Sequence, residues 1–347
     1  MANLVEREGE QIQAHIKKKA ERIFQDHGFN TTGLVIDQQK ARSSIQHADA
    51  TLDQEVVSLM IEELNRGQEE EKHIELSELH ETFEDPCAVK ANISIDDVCC
   101  KKQKASGRKR GSPPKEKREM VYNTVAHIQN KESKVYMLNA STLSQTMTIV
   151  LAFLLSNGQL SLPGSLVFFT DGARDLRSAI QDIFRFIPFK IILDWFHLKK
   201  KCKDLLSMAI LGKQVKNQIL AEVLAWLWLG KVERAMKLLR DVSKETIKNQ
   251  KELNNLINYL DRNSRCIPCY ALRNKLGLRI SSNPVEKAND LLVSNRQKHN
   301  GMSWSASGST SLATLTSVRR HDEHMHWLRH HDIHFAFSQQ KHAKPAA

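Results

Sequence analysis

Three carboxylates stand where a chain can present chemistry. Asp171 follows the apolar run Leu166-Val167-Phe168-Phe169 and opens the break Thr170-Asp171-Gly172-Ala173. Such a run reads as a buried strand ending in a turn, which sets the carboxylate at a strand's carboxyl edge, where α/β sheets place their sites. Asp96 ends the run Ala91-Asn92-Ile93-Ser94-Ile95, and Glu286 lies in Ser282-Asn283-Pro284-Val285-Glu286-Lys287-Ala288-Asn289-Asp290. With 40 Asp and Glu in 347 residues, three acids can always be picked out, so context has to carry the information. Magnesium-like dications take oxygen ligands, and a pair of them can stabilise both the attacking and the leaving oxygen of a phosphoryl transfer. The three acids together suggest a metal-dependent nucleic-acid enzyme.

The elements that would position them alternate in type. Apolar residues near a 3.6 spacing predict a helix over residues 4–28 with Gly28 as its stop, and a second amphipathic helix over 52–64. Glu69-Glu70-Glu71 opens an acidic stretch to Asp85-Pro86 that reads as a linker or an exposed helix. Strands follow at 92–100, 121–129 and 134–139, with Asn130-Lys131-Glu132-Ser133 as a polar hairpin connection, so these three form one antiparallel unit. A helix over 141–155 takes Ser141 or Thr142 as cap and Asn157-Gly158 as stop. Next come the strand 166–170, a helix over 173–184, and Phe189-Lys190-Ile191-Ile192-Leu193-Asp194-Trp195-Phe196-His197, a strand running into a helix rich in lysine. Residues 204–262 are helical by pattern. This order is that of an α/β, ribonuclease-H-like mixed sheet with an inserted all-helical domain, preceded by a helical N-terminal region. In that fold, acids from the first and fourth strands and from a late helix meet at one edge. The divisions read as 1–85, 86–203, 204–275, 276–320 and 321–347.

Charge separates the chain in two. The formal net charge is +11, yet residues 1–85 hold 9 Lys and Arg against 19 Asp and Glu, leaving 42 against 21 for the rest. A field of that sign suits a polyanion, and nucleic acid is the commonest. Residues 101–118 carry nine of these cations, including Lys101, Lys102, Lys104, Arg108, Lys109 and Arg110, in a loop that can grip phosphates by counterion release. No apolar stretch reaches the roughly 18–20 residues of a membrane span, and the start lacks a signal peptide's apolar centre. Six cysteines are sparse, and adjacent Cys99-Cys100 suit a reducing, intracellular compartment. Cys266-Ile267-Pro268-Cys269 is one C-x-x-C without a second pair, short of a tetrahedral zinc site.

Over roughly residues 90–320 the chain resembles the DDE transposases of bacterial insertion sequences, in the broad group related to the Mutator transposases. The likeness rests on Ser94-Ile95-Asp96-Asp97-Val98, Phe169-Thr170-Asp171-Gly172-Ala173, Asp194-Trp195-Phe196-His197 with its lysines, and Asn283-Pro284-Val285-Glu286. Downstream, Arg296-Gln297-Lys298-His299-Asn300-Gly301-Met302-Ser303-Trp304-Ser305 is similar to the group's basic-Gly-Met-Ser-Trp segment. The resemblance implies Asp96, Asp171 and Glu286 as catalytic acids that hold two Mg²⁺ or Mn²⁺ ions. It implies cleavage and joining of DNA at element terminal repeats and target, a homo-oligomer that synapses two ends, and a cytoplasmic, nucleoid-associated bacterial setting. Asp97 rivals Asp96, because the group usually shows Gly after the first acid and this chain does not. Residues 1–85 also lack the helix-turn-helix or zinc-finger signature expected of a terminal-repeat reader.

Several residues keep two readings. His197 either bonds locally at a helix start or works beside the transferred strand, with Lys199 among the DNA contacts. Asp194 caps a helix or serves as a fourth acid. Trp304 with Arg296 and Lys298 either stacks on and clamps DNA or is a buried Trp with surface cations. His321, His324, His326, His330, His331 and His334 bind zinc or lie on a partly exposed helix. A ribonuclease-H-like nuclease without strand transfer, a DNA-binding derivative without catalysis and a structural zinc protein are the other classes these residues admit.

Overall fold

The computed structural model describes residues 2–32, 35–37, 51–79, 83–103, 119–161, 166–299 and 301–337. Within them a five-stranded mixed sheet carries helices on both faces. Its strands are β3 (Ala91–Lys101), β4 (Met120–Asn130), β5 (Val135–Ala140), β6 (Leu166–Thr170) and β7 (Phe189–Leu193). A separate hairpin pairs β1 (Asn30–Thr32) with β2 (Val35–Asp37). The five strands lie in the order β5-β4-β3-β6-β7, antiparallel from β5 to β3 and parallel from β3 to β7. The hairpin unit expected from 92–139 is thus present, one residue longer at most ends: a tight polar turn at 130–133 folds β5 back on β4, and β4 pairs along its other edge with β3.

The alternation of β3 assigns its residues to two cores. Ile93 and Ile95 join Phe168, Ala126 and Ile128 against α1 (Ala2–Asp26), α3 (Leu143–Ser156) and α4 (Arg174–Phe184). Helix α3 buries an unbroken run from Thr146 to Leu155 because it lies between the sheet and α1. Thr142 caps it, accepting from Gln145 N, and Asn157 closes it. A fully buried Phe153 alone is worth about 1.5–3 kcal/mol.

On the other face Val167, Phe169 and Ile192 meet the helical block. That block holds α5 (Trp195–Ala209), α6 (Lys213–Trp228), α7 (Val232–Arg240), α8 (Gln250–Asn263) and α9 (Tyr270–Lys275), with α2 (Gln54–Asn65) packed on α9. Helix α5 runs unbroken through residue 204, so the sheet and the helical block share it. A third cluster, with Val98 and Val125 of the sheet, holds α10 (Asn283–Asn289), a π turn at Asp290–Ser294 and α12 (Ala306–Arg320). The short helices α11 (Asn295–Gln297) and α13 (His324–His330) complete the order.

Two stretches pack more closely than their composition suggests. The acidic segment forms short 3₁₀ turns instead of a free linker or a helix, and it buries Ile74, Phe83 and Glu84. Glu84 bonds Arg273 at 2.6 Å and Lys190 at 2.9 Å. Burial works against its charge, but those two cations outweigh it and hold its carboxyl below the usual range. Helix α1 crosses α12 so tightly that a Cβ on Gly9 would lie 2.3 Å from Ser311 Cβ. The C-terminal residues Trp327, Ile333 and Phe335 join the same core as α1. Among the described residues no helix is long and apolar enough to cross a membrane.

Candidate active site

The parallel half of the sheet builds a row of aspartates. Ser94 pairs with Phe169 across β3 and β6, and Thr170 with Leu193 across β6 and β7. Carried on along the strands, those registers bring Asp96, Asp171 and Asp194 level: Asp171 and Asp194 directly follow the carboxyl ends of β6 and β7, whereas Asp96 lies in the middle of β3, just past its last pair with β6, because β3 runs on beside β4 to Lys101. Side chains alternate across a strand, so Asp96 shares the face of Ser94 and Val98 while Asp97 takes the other. There Thr124 Oγ1 donates to Asp97 Oδ1 at 2.6 Å. Asp96 Oδ1 accepts from Asp97 N at 2.9 Å and Oδ2 from Asn289 Nδ2 at 2.7 Å. Burial pushes the Asp96 carboxyl up, and the nearby Asp171 charge adds to it against the pull of the hydrogen bonds and His197.

Asp171 is exposed and held by its turn. Its Oδ1 accepts from Ala173 N at 2.8 Å, and its carbonyl accepts from Tyr259 Oη of α8 at 3.1 Å. Gly172 has φ +88°, and a Cβ there would meet Leu193 Cδ1 and Tyr259 Oη, each at 3.0 Å. Only glycine fits that bend without strain.

Asp194 is wholly buried and ties three segments together. Its Oδ1 accepts from His197 N at 2.7 Å, capping α5, and lies 3.1 Å from His197 Nδ1. Its Oδ2 accepts from Ser282 N, just before α10. Burial opposes its charge, but the bonds from His197 and Ser282 prevail and hold the carboxyl below the usual range. The capping reading therefore describes Asp194, with the His197 ring as a second partner. His197 is raised above its ordinary value, first by the bond to Asp194 and then by the charges of Asp194, Asp171 and Glu286, against burial. Its Nε2 lies 3.8 Å from Glu286 Oε1. Glu286 and Asn289 are three residues apart on α10, so one helical face serves both His197 and Asp96.

The predicted set is thus brought to one place: Asp96, Asp171, His197 and Glu286 interact through space. Three carboxylates offer oxygen donors that suit Mg²⁺ or Mn²⁺, and the like charges of Asp96 and Asp171 are of the kind a dication relieves. The donor chemistry fits such an ion. The side chains are not gathered into a finished ligand set, since among the described residues no three His, Cys, Asp or Glu groups could hold a metal. Both Asp96 oxygens are engaged by hydrogen bonds instead. The same absence covers the C-terminal histidines and Cys266/Cys269. His321 is buried, stacked on Tyr136 at 4.1 Å, and His326 stacks on His334 at 4.0 Å.

A cleft of about 1170 Å³ opens from the Asp171 turn and runs between α5 and α8. Lys200 and Lys201 line it, whereas Lys199, exposed, is absent from its lining. Lys101, Lys102 and Trp304 meet at the far end of β3, about 17 Å past Asp96 at 3.4 Å per residue, with Lys298 close enough for its charge to act on Cys100, while Arg296 is exposed on α11. Lys102 pairs with Glu119 at 2.7 Å and bridges to Trp304. Trp304 is half-buried, and its Nε1 donates to Gln297 O at 3.2 Å. Lys104, Arg108, Lys109 and Arg110 lie outside the described residues.

Sequence reasoning passed over Asn289, Tyr259, Lys200 and Lys201. The two lysines were within reach, since they follow His197 by three and four residues on one helix. Tyr259 stands 88 residues from Asp171 and has no local signal.

No family model matches the chain, and no curated protein matches it. Among solved structures it is similar to the Drosophila P element transposase strand transfer complex, with 10% identity and a TM-score of 0.27, covering 85% of this chain and 74% of that one. An overlap that loose defines no shared fold and assigns no function.

Proposed function

We propose that this chain is a DNA transposase that cleaves and joins strands by metal-dependent phosphoryl transfer on a ribonuclease-H-like core. The observation that carries the reading is the aspartate row: Asp96 in the middle of β3 level with Asp171 at the end of the adjacent parallel strand β6, with Glu286 of α10 reaching the same place through His197. Further support comes from the strand order β5-β4-β3-β6-β7, which is the order that core requires, and from the helical block between the second and third acids.

Each residue then has a task. Asp96, Asp171 and Glu286 would hold Mg²⁺ or Mn²⁺, which supplies charge stabilisation for the attacking and leaving oxygens when bound. Asn289 holds Asp96 by one oxygen and so fixes the direction of the other. Asp194 fixes the His197 ring and favours its protonated form, which places a positive charge beside the carboxylates to meet an incoming phosphate. Tyr259 and Gly172 fix the backbone from which Asp171 projects.

The test is Mn²⁺-dependent cleavage and joining of a plasmid carrying the element's terminal sequences, comparing the purified chain with Glu286→Gln. Joined products from the unaltered chain alone support the transposase reading. Nicks without joining favour a nuclease, and binding without cleavage by either protein favours a catalytically inactive DNA-binding derivative.

A further inference from the structure

The cleft that leaves Asp171 changes character along its length. Near the aspartates it is cationic: Lys200 and Lys201 share the His197 face of α5, Arg174 opens α4, and Arg262 closes α8. No ion pair engages any of these four among the described residues, although Lys201 and Arg262 each sit 5.9 Å over the Tyr259 ring. Midway, α8 turns the exposed amides of Asn255 and Asn258 into the cleft. An amide both donates and accepts, as a base edge does. At the distal end Met208 and Glu252 replace the cations.

Scale restricts the occupant. Helices α5 and α8 pack on each other, and helices in contact stand about 8–10 Å apart, which leaves no room for a duplex. From His197 to Met208 the wall rises about 17 Å at 1.5 Å per residue, the length of about five stacked nucleotides at 3.4 Å each. Acids line the cleft as well: Asp204 and Glu252 belong to its middle and distal parts, and Asp261 stands beside Arg262 near Asp171, where Lys200, Lys201, Arg174 and Arg262 outnumber it, so a polyanion would be held at the end nearest Asp171. Tyr259 joins the cleft floor to the Asp171 carbonyl, so an occupant is indexed to the aspartate row.

We propose that this cleft binds a short unpaired strand of nucleic acid continuous with the reacting phosphate. Its phosphates lie on Lys200, Lys201 and Arg174, and its bases face Asn255 and Asn258. The inference rests on the nucleic-acid reading above and adds the strandedness of the substrate.

The experiment is fluorescence anisotropy in EDTA, which separates binding from catalysis, with a blunt duplex and the same duplex bearing a tail of about five unpaired nucleotides. The tail should tighten binding at least tenfold. The double variant Lys200→Gln/Lys201→Gln should lose that gain and lower the salt slope by about 1.4, two phosphates at about 0.7 each. Asn255→Ala/Asn258→Ala should lose much of the gain with the salt slope unchanged. All four side chains are exposed, and thermal melts verify that the variants fold. Equal binding of blunt and tailed duplexes, or a tail gain that survives the lysine changes, overturns the proposal while the nucleic-acid reading stands. Failure of the unaltered chain to bind either duplex overturns both.

Discussion

Gly172→Ala tests how tightly the Asp171 turn is bound to the helical block. Two costs combine. A side chain at φ +88° carries left-handed strain of about 1–2 kcal/mol. The new Cβ, 3.0 Å from Tyr259 Oη and from Leu193 Cδ1, displaces the phenol from the Asp171 carbonyl and loses a hydrogen bond worth about 0.5–1.5 kcal/mol. The variant should therefore be roughly 1.5–3.5 kcal/mol less stable, read as a lower urea midpoint at constant m. Tyr259→Phe should cost about 1 kcal/mol alone. It also removes one of the two 3.0 Å contacts, so Gly172→Ala should cost about 1 kcal/mol less in the Phe background than in the native one. Cleavage should fall in both single variants, because Asp171 shifts. A Gly172→Ala midpoint equivalent to less than about 0.5 kcal/mol, or an equal cost in both backgrounds, would refute the argument.

Three further outcomes follow from the same geometry. Asp96→Asn should abolish plasmid cleavage and Asp97→Asn should spare it, since the two point to opposite faces; cleavage lost in Asp97→Asn and spared in Asp96→Asn would reverse the assignment. Asp194 is held below its ordinary range, so its stabilisation is present above its unfolded pKa and fades as pH falls through the lowered one. His197 is raised, so its stabilisation is full below about 6.5, the ordinary value, and fades as pH climbs through the raised one. The urea midpoint should thus peak in mildly acidic solution, and Asp194→Asn should lose roughly 1–3 kcal/mol there and flatten the decline toward alkaline pH; an unchanged profile would count against the pair. Asn289→Leu frees Asp96 Oδ2 and should reduce Mn²⁺ affinity by calorimetry, and cleavage, by about tenfold to a hundredfold, whereas native values would show that Asp96 needs no support.

Much of the scaffold could be read residue by residue, because its causes are local. The polar turn at 130–133 forces β4 onto β5, Thr142 and Asn157 bracket α3, and Asp194 caps α5 through an oxygen three residues from its partner. Asp171 and Glu286 carry local marks, the end of a strand and the start of a helix, whereas Asp96 sits in the middle of β3, which runs on to Lys101. The acidic stretch at 69–85 was not legible, because Glu84 is held by Arg273, 189 residues away. Asn289 and Tyr259 were also missed, since nothing beside either one announces Asp96 or Asp171.

The sequence by itself determined most of the sheet strands and long helices, where they stop, and that Asp171 and Asp194 end strands, since period, caps and turns act over a few residues. Only the tertiary structure decided that Asp194 stands level with Asp96 and Asp171, that Asn289 rather than a cation holds Asp96, and that α1 closes on α12 at Gly9. Those facts depend on parallel register and on surfaces meeting across hundreds of residues, and such pairings are chosen by the burial of whole faces at once.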